Sequence, residues 1–301
     1  MVQKKDTVTM TGNAVSVKNT FTKLTMAVKM KKQTKLRPPV KTHGGKYYLK
    51  DWIVENFPEG YEKMTYIEPM CAGASVFLNK SVSDQEVIND LDKGLISIFK
   101  SLRDEPKEFI DRVKKIRYTE RAFKMAQKKS EDGITDYVDH GVNEYMLRRM
   151  SRGGMKKSFA WSERTRGGKP GDVNSWETMI AELPLIVDRI KNATMLNVSV
   201  FDLFKSWDEE NVLWYLDPPY MPSTRSEGST NIYQHEMSVE DHINLLTLIK
   251  NARGKVIISG YSAPLYNRTL KGWKVKKKNI CNNSSQAKTK DKRVEVLWMN
   301  Y

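Results

Sequence analysis

The residues with the strongest chemical signal are Asp217-Pro218-Pro219-Tyr220, which directly follow the apolar run VLWYL. Open α/β sheets bind ligands at the carboxyl ends of their strands, so this position would present Asp217 and the carbonyls after it to a cleft. Two consecutive prolines restrict the backbone and remove amide donors, which leaves carbonyl oxygens free to accept hydrogen bonds. The four residues therefore combine hydrogen-bond acceptors with an aromatic ring.

These groups suit the exocyclic amine of a nucleic-acid base, whose lone pair is delocalised into the ring. Accepting both amine hydrogens, one by the Asp217 carboxylate and one by the Pro218 carbonyl, would localise that lone pair and aim it at a methyl donor. Tyr220 would stack on the base, which is worth about 1–3 kcal/mol, and the base would have to leave its helix to enter the cleft. The alternative is an ordinary strand end with a Pro-Pro turn and an Asx cap.

Two stretches have residues suited to the adenosyl part of a methyl donor such as S-adenosylmethionine. The run from Glu68 to Ser75, which includes Gly73, combines a strand end with small side chains, and these let an adenosyl group approach the backbone. Asp90 follows the next predicted strand, where an acid can accept both ribose hydroxyls. Each acid alone is more often a helix cap or a solvated turn, so the prediction depends on their combination and order.

Two further positions complete the predicted cofactor site. Lys46, after Gly44 and Gly45, would set its ammonium against the methionine carboxylate, and Asp202, after the run TMLNVSV, would meet the adenine amine of the cofactor. The cofactor-binding residues predicted from these patterns are Lys46, Gly45, Glu68, Gly73, Asp90 and Asp202. No metal is expected, because the four histidines do not have metal-ligand spacing with each other or with the cysteines.

Alternating strand and helix patterns would position these groups. Strands are predicted for 64–68, 86–89, 194–200, 212–216 and 255–259, and late runs at 273–280 and 294–301 suit an antiparallel pair. Helical patterns cover 47–56, the run VFLNK at 76–80 and 93–102. Another starts at Ser238, a good N-cap with Asp241 in the capping-box position, and should run to about Ala252 and close at Gly254. This alternation predicts an α/β fold with a mostly parallel sheet.

The stretch 104–193 breaks the alternation and is interpreted as an inserted segment that faces nucleic acid, with a merely decorative insertion as the alternative. It is helical and polar, then becomes RRMSRGGMKKSFAWSERTRGGKPGDVNSW, where no strand or helix period is evident. Relaxed sequence specificity is expected, because residues of the kind that contact phosphate dominate this segment, although the same side chains could read base edges. The candidate DNA-binding residues are Arg148, Arg149, Arg152, Lys156, Lys157, Arg164 and Arg166.

Charge and composition point to a polyanionic partner. Lys and Arg total 51 against 36 Asp and Glu, a net charge of +15, which suits nucleic acid but also an anionic membrane or simple solubility. Residues 1–40 are interpreted as a basic arm that either follows a phosphate backbone or is a solvated leader. No apolar run approaches the roughly 18 residues of a membrane span, no signal pattern precedes the fold, and Cys71 and Cys281 lie far apart, so a cytoplasmic location is expected.

From about Thr42 to the C-terminus the sequence resembles the Dam-like DNA adenine methylases. The motifs GGK, the E-P small-residue turn, NDLD and DPPY occur in that family's order, and segments such as RRMSRGGMKKSFAWS and SGYSAPLY look like its phage and prophage members. The resemblance implies a Rossmann-like methyltransferase sheet over 41–103 and 194–301, with a mainly helical target-recognition insertion at 104–193. It also implies S-adenosylmethionine contacts at Lys46, Asp90 and Asp217, with Asp217 and Tyr220 holding a flipped adenine of double-stranded DNA.

Three residues depart from the family pattern: many relatives have an aromatic residue at Thr42, Phe at Met70 and Gly at Ala72. Met70 can substitute as an adaptable filler, whereas Ala72 adds a methyl group near the expected cofactor path. Adenine in RNA and cytosine N4 in DNA remain alternative substrates, and a catalytically silent DNA-binding protein is the alternative from another class. Oligomeric state and any pairing with a restriction enzyme are left open.

Overall fold

The computed structural model describes residues 35–224, 235–281 and 292–301. Most of the basic arm predicted for residues 1–40 lies outside this part of the chain. Its last residues do not: Val40 is buried in the core, Leu36 packs against that core, and Arg37 pairs with Glu182 at 2.5 Å. Leu36 to Tyr301 forms one compact unit.

A seven-stranded sheet organises this unit. Its strands are β1 Thr65–Glu68, β2 Gln85–Asn89, β5 Thr194–Leu196, β6 Val212–Leu216, β7 Lys255–Tyr261, β8 Lys274–Cys281 and β9 Lys292–Met299. They lie in the order β5-β2-β1-β6-β7-β9-β8. Strand β9 runs antiparallel to both of its neighbours, β7 and β8, and all the other neighbouring strands are parallel. The order steps outward from β1 in both directions, as in doubly wound Rossmann-like sheets. The predicted α/β fold and the late antiparallel pair are confirmed.

Helices cover the sheet and join its strands. Outside the inserted region they are α1 Lys50–Val54, α2 Lys93–Asp104, α7 Val200–Trp207, α8 Val239–Lys250 and α9 Pro264–Thr269. Alternate residues of each central strand enter two apolar clusters, so that Leu213 and Tyr215 pack in one and Trp214 and Leu216 in the other. The predicted capping box of Ser238 and Asp241 starts α8. No helix within the described residues is long and apolar enough to cross a membrane.

The inserted region is helical and shares a core with the sheet. It contains α3 Pro106–Lys115, α4 Glu120–Asp132, α5 Tyr137–Arg149, the two-residue strands β3 Thr165–Arg166 and β4 Lys169–Pro170, and α6 Gly171–Ile190. Phe109, Tyr145 and Trp176 from this region belong to the same apolar cluster as Leu213 of β6. Helices α5 and α2 approach closely at Gly141, where a β-carbon would collide with Ser101.

The structure corrects four local predictions. The run VFLNK is a series of turns and not a regular helix. Strand β5 ends at Leu196, and Ser199 caps α7, so the expected strand does not reach Val200. Helix α8 ends at Lys250 with Asn251 as its C-cap, before Gly254. The segment without evident period contains the β3–β4 hairpin and the start of α6.

Candidate active site

A cavity of about 550 Å³ opens at the carboxyl ends of β1, β2 and β6. Asp217, Pro218, Pro219 and Tyr220 line it together with Lys46, Asp90 and residues 154–157 of the inserted region. The predicted acceptor tetrapeptide, the glycine-lysine turn and the predicted ribose-binding acid therefore meet in one site, although 127 residues separate Asp90 from Asp217 in the sequence.

The two carboxylate oxygens of Asp217 have different surroundings. Lys46 Nζ lies 2.7 Å from Oδ1, and the hydroxyl of Ser259 donates to the same oxygen at 2.9 Å. Among the residues that the structure describes, none donates a hydrogen bond to Oδ2. The side chain is 17% exposed and lines the cavity, so Oδ2 is the oxygen that retains its capacity to accept a hydrogen bond from a ligand.

Lys46 is the buried centre of a charged cluster. Its ammonium lies 2.7 Å from the Tyr220 hydroxyl and 3.7 Å from Glu295 Oε1, and the Tyr220 hydroxyl donates to Glu295 at 3.0 Å. Burial by itself would lower the pKa of Lys46, but Asp217 and Glu295 raise it overall, so the ammonium stays charged. Burial raises the pKa of Glu295, against the opposing effect of Lys46.

Sequence reasoning missed Ser259 and Glu295, which belong to strands far along the chain. Because side chains alternate along a strand, Asp217 after β6, Ser259 in β7 and Glu295 in β9 all project to the face of the sheet that carries α1. For Glu295 the sequence contains one signal: it is a lone acid within the otherwise apolar run VEVLWM.

Asp90 is held on the cavity wall by the backbone. Its Oδ2 accepts the amide hydrogen of Ala72 and its Oδ1 that of Asp92, both at 2.9 Å. Burial raises the pKa of Asp90, although these two hydrogen bonds act in the opposite direction. The Ala72 backbone has φ 45°, in the left-handed region that favours glycine, which is the residue expected there from the family pattern.

Two predicted cofactor residues, Glu68 and Gly73, do not line the cavity. Glu68 is buried beneath the small-residue turn, where it accepts hydrogen bonds from the Tyr66 hydroxyl at 2.7 Å and the Phe77 amide at 3.0 Å. Burial raises its pKa to about 8. A β-carbon on Gly73 would lie 3.1 Å from Pro38 and 3.3 Å from Thr42, so this glycine packs against the chain before the glycine-lysine turn.

Two more of the predicted cofactor residues, Gly45 and Asp202, also lie outside the cavity lining. Gly45 packs on Thr42 while its neighbours Gly44 and Lys46 line the cavity. Asp202 lies in the first turn of α7, exposed and paired with Lys205 at 2.8 Å, because β5 ended earlier than expected. Ser199, Val200 and Phe201 line the cavity in its place.

The predicted DNA-binding residues differ in their surroundings. Arg148 and Arg149 are buried, because they lie on the face of α5 that packs into the molecule: Arg148 pairs with Asp92 and Glu144, and Arg149 donates to the Ser175 carbonyl. Lys156 lines the cavity and pairs with Glu144 at 3.1 Å. Arg152, Lys157 and Arg164 are exposed, while Arg166 lies in β3.

The remaining cavity wall is largely apolar. Met70, Leu91 and Phe201 lie on it, next to the polar groups at the strand ends. A second part of the wall, which the sequence did not reveal, comes from His235, Glu236 and Met237 before α8. Within the described ranges, no group of three His, Cys, Asp or Glu side chains is placed to hold a metal ion.

A Rossmann-like sheet with an acid after β2 and Asp-Pro-Pro-Tyr after β6, both on one cavity, is the arrangement that the sequence predicts for a methyltransferase acting on an amino group. The chain belongs to the D12 class of N6 adenine-specific DNA methyltransferases, whose family model matches residues 43–287. The family and the fold imply S-adenosylmethionine as the methyl donor.

Relatives of this family align over 73% to 92% of the chain. The type II methyltransferase M1.LlaDCHI of Lactococcus lactis subsp. cremoris is 24% identical over 286 residues, which cover 92% of this chain and 99% of that protein. The DNA adenine methylase of Haemophilus influenzae is 24% identical over 89% of this chain and 93% of its own length. The DNA N-6-adenine-methyltransferase of Escherichia phage P1 is 24% identical over 73% of this chain and 29% of its own length.

Proposed function

We propose that the protein methylates N6 of adenine in DNA at this cavity, with Asp217, Pro218 and Tyr220 holding the target base. The observation that carries this assignment is the asymmetry of Asp217: the protein's donors reach Oδ1, and Oδ2 is left for a hydrogen of the N6 amine. The second N6 hydrogen goes to the Pro218 carbonyl. Tyr220, fixed by Lys46 and Glu295, covers the base.

The donor set of the cavity fits S-adenosylmethionine. Asp90, held by two backbone amides, retains acceptor capacity for the ribose hydroxyls, and Met70, Leu91 and Phe201 offer apolar surface to the purine. Lys46 adds positive charge for the methionine carboxylate while remaining bound to Asp217. When bound, the cofactor supplies an electrophilic methyl group on a sulfonium centre.

The protein's part in the reaction is to orient the amine and to stabilise the charge that forms on it. Oδ2 of Asp217 and the Pro218 carbonyl align the lone pair, and the carboxylate then lies beside a nitrogen that becomes positive as the methyl group arrives. Fixed charges of this kind act strongly in a water-poor site, because they need no reorganisation during the reaction. The amine nitrogen itself attacks the methyl group as the bond from methyl to sulfur breaks, so no separate nucleophile is required, and the N6 proton is afterwards lost to water.

DNA would be held from the inserted region, with the adenine flipped out of the duplex. The exposed side chains Arg152, Lys157 and Arg164 suit phosphate contacts, which carry no sequence information, and this supports relaxed specificity. We place the enzyme in the cytoplasm of a bacterial cell, encoded either by the bacterium or by a phage or prophage.

The test is methylation with isotope-labelled S-adenosylmethionine and, separately, DNA or RNA, followed by nucleoside mass spectrometry. N6-methyladenine from DNA supports the proposal, and the Asp217→Ala variant should lose this product while it still binds DNA. N4-methylcytosine or a product from RNA alone would assign one of the alternative substrates, and binding without any product would identify a silent DNA-binding protein. Sequencing methylated plasmid tests specificity, since a strict site of four or more bases would refute relaxation.

A further inference from the structure

Arg148 is a buried cation whose contacts point towards the cofactor side of the cavity. Its side chain is 7% exposed, Nη2 lies 2.5 Å from Asp92 Oδ2, and Nε donates to Glu144 Oε2 at 3.1 Å. A guanidinium that is enclosed between two carboxylates inside the protein is not available to a DNA phosphate. Arg148 and its partner Asp92 both line the cavity beside Asp90, so this ion pair belongs to the cavity wall.

Asp92, the partner of Arg148, is connected directly to Asp90. The Asp92 amide donates to Asp90 Oδ1 at 2.9 Å, while the Asp92 carboxylate accepts from the amides of Gly94 and Leu95 as the N-cap of α2. Any shift of Asp92 therefore moves a hydrogen bond that orients the Asp90 carboxylate. Burial would raise the pKa of Asp92, but Arg148 lowers it, so this carboxylate stays ionised.

Through Glu144 the same arginine is linked to residues 154–157, the part of the inserted region that lines the cavity, which we call the recognition region. The Lys156 ammonium lies 3.1 Å from Glu144 Oε1, and Lys156 itself lines the cavity. Its backbone has φ 62° and is held by a hydrogen bond from its amide to Ser151 Oγ at 2.9 Å. Asp92, Arg148, Glu144 and Lys156 thus form a chain of alternating charge, which we call the 92–156 ion chain.

We propose that Arg148 is a positioning residue for cofactor binding, which acts on Asp90 through Asp92. The 92–156 ion chain then joins the nucleoside end of the cofactor site to the recognition region. This inference rests on the proposed function, in which Asp90 binds the cofactor ribose.

The experiment measures binding of S-adenosylhomocysteine, the demethylated cofactor, to the full-length protein by calorimetry without DNA. Two variants break the pair from opposite sides: Arg148→Met, and Asp92→Asn, which retains an N-cap residue for α2. Both should weaken binding about tenfold, the effect of disturbing one charge-assisted hydrogen bond. The matched control is Arg112→Met, because Arg112 pairs with Glu108 and Asp139 on the exposed side of the same region.

Arg112→Met should bind S-adenosylhomocysteine within about twofold of the wild type, as expected for a distant site. Circular dichroism establishes that each variant is folded, and Asp92→Asn decides the matter if Arg148→Met does not fold. Wild-type affinity in a folded Asp92→Asn variant would overturn the inference, whereas a wild-type protein that does not bind S-adenosylhomocysteine would overturn the proposed function instead.

A second readout separates positioning from DNA contact. Arg148→Met should keep the affinity for a DNA duplex at low salt, whereas Arg152→Gln, which changes an exposed arginine, should weaken it and reduce its salt dependence. If Arg148→Met instead lost DNA affinity and salt dependence to the same extent as Arg152→Gln, the arginine would be a phosphate contact and the positioning role would be wrong.

Discussion

At the scale of single residues, Asp217 and Glu295 both pair with the Lys46 ammonium but differ in their other contacts. Asp217 has an oxygen available in the cavity, while Glu295 is buried and accepts from Tyr220. Replacing each residue by its amide removes the charge and preserves the volume. Under the proposed function, the Asp217 variant therefore tests binding of the N6 amine, and the Glu295 variant tests the position of the Tyr220 ring.

Asp217→Asn should lower the single-turnover rate of methylation by about 10²–10³-fold, the usual effect of removing one preorganised charged group. The amide offers the amine a weaker acceptor and leaves Lys46 without its nearest carboxylate. Rapid-quench measurements with labelled cofactor give the rate. The control is Asp202→Asn, which changes an exposed acid outside the cavity and should not affect turnover. A wild-type rate in Asp217→Asn would contradict the mechanism.

Glu295→Gln should act mainly on binding of the target base. The amide still accepts from the Tyr220 hydroxyl but without charge, so the ring is held less firmly, by about 1 kcal/mol. We expect KM for DNA to rise by about fivefold, in line with that loss, while kcat falls less than in Asp217→Asn. Steady-state kinetics with varied DNA measure both. A loss confined to kcat would show that Glu295 acts on the reaction and not on the base.

At the scale of elements, the small-residue turn after β1 is strained. Ala72 has φ 45° and Ala74 has φ 55°, a region in which a β-carbon clashes with the backbone. The turn is nevertheless held in place, since the Ala72 amide donates to Asp90 and Ala74 is buried. The strain therefore occurs where the backbone borders the cofactor part of the cavity.

Ala72→Gly should stabilise the protein by about 0.5–1 kcal/mol, because relief of the left-handed strain exceeds the added entropy of glycine in the unfolded chain. Urea denaturation measures this change. Ala181→Gly is the control, since Ala181 lies exposed within α6, and there glycine should destabilise by about 1 kcal/mol. Two losses of equal size would show that Ala72 carries no strain.

The elements also explain which parts of the site the sequence could predict. Asp90 and Asp217 were found because each follows a strand of a parallel sheet, and such strand ends meet at one edge. The prediction that Asp202 lies at a strand end was wrong because Ser199 caps a helix where a longer strand was expected. Glu295 was missed because its place depends on how β9 pairs with β7, which no short motif encodes.

The positions of side chains in the inserted region also depend on tertiary packing that the sequence does not reveal. Its helices were expected, but the burial of the two arginines depends on the helices that surround α5. Arg148 reaches Asp92 at the start of α2, and Arg149 reaches Ser175 in α6. From the sequence alone, two adjacent arginines at a helix end are equally compatible with exposed charge. The pairing partner Asp92 lies 56 residues earlier in the chain. Only the folded arrangement shows that a basic pair in a basic segment is partly structural.

At the scale of the whole molecule, stability should depend on pH through Glu68. Its pKa rises from the ordinary 4.5 to about 8 on folding, so the folded state holds an extra proton between these values. Stabilisation from neutral Glu68 is complete below pH 4.5 and is lost as the pH rises to 8. The loss from one group is at most about 1.4 kcal/mol per pH unit.

The measurement is the free energy of unfolding in urea at pH 5, 6, 7 and 8 for the wild type and for Glu68→Gln. Because the amide is neutral throughout, the wild type should lose stability relative to Glu68→Gln as the pH rises. A constant difference between the two proteins would mean that Glu68 has the same pKa folded and unfolded.

The common core of the inserted region and the sheet limits how target preference can be exchanged between relatives. Phe109, Tyr145 and Trp176 are packed with side chains of the central strands, so residues 104–193 cannot be transplanted as an independent cassette. A chimera made in that way would pack the inserted region of one protein against the sheet of another, and the two parts of its apolar core would not match. Under the proposed DNA contacts, recognition would be altered instead through the surface between α5 and α6, where the exposed Arg152, Lys157 and Arg164 can be replaced without repacking.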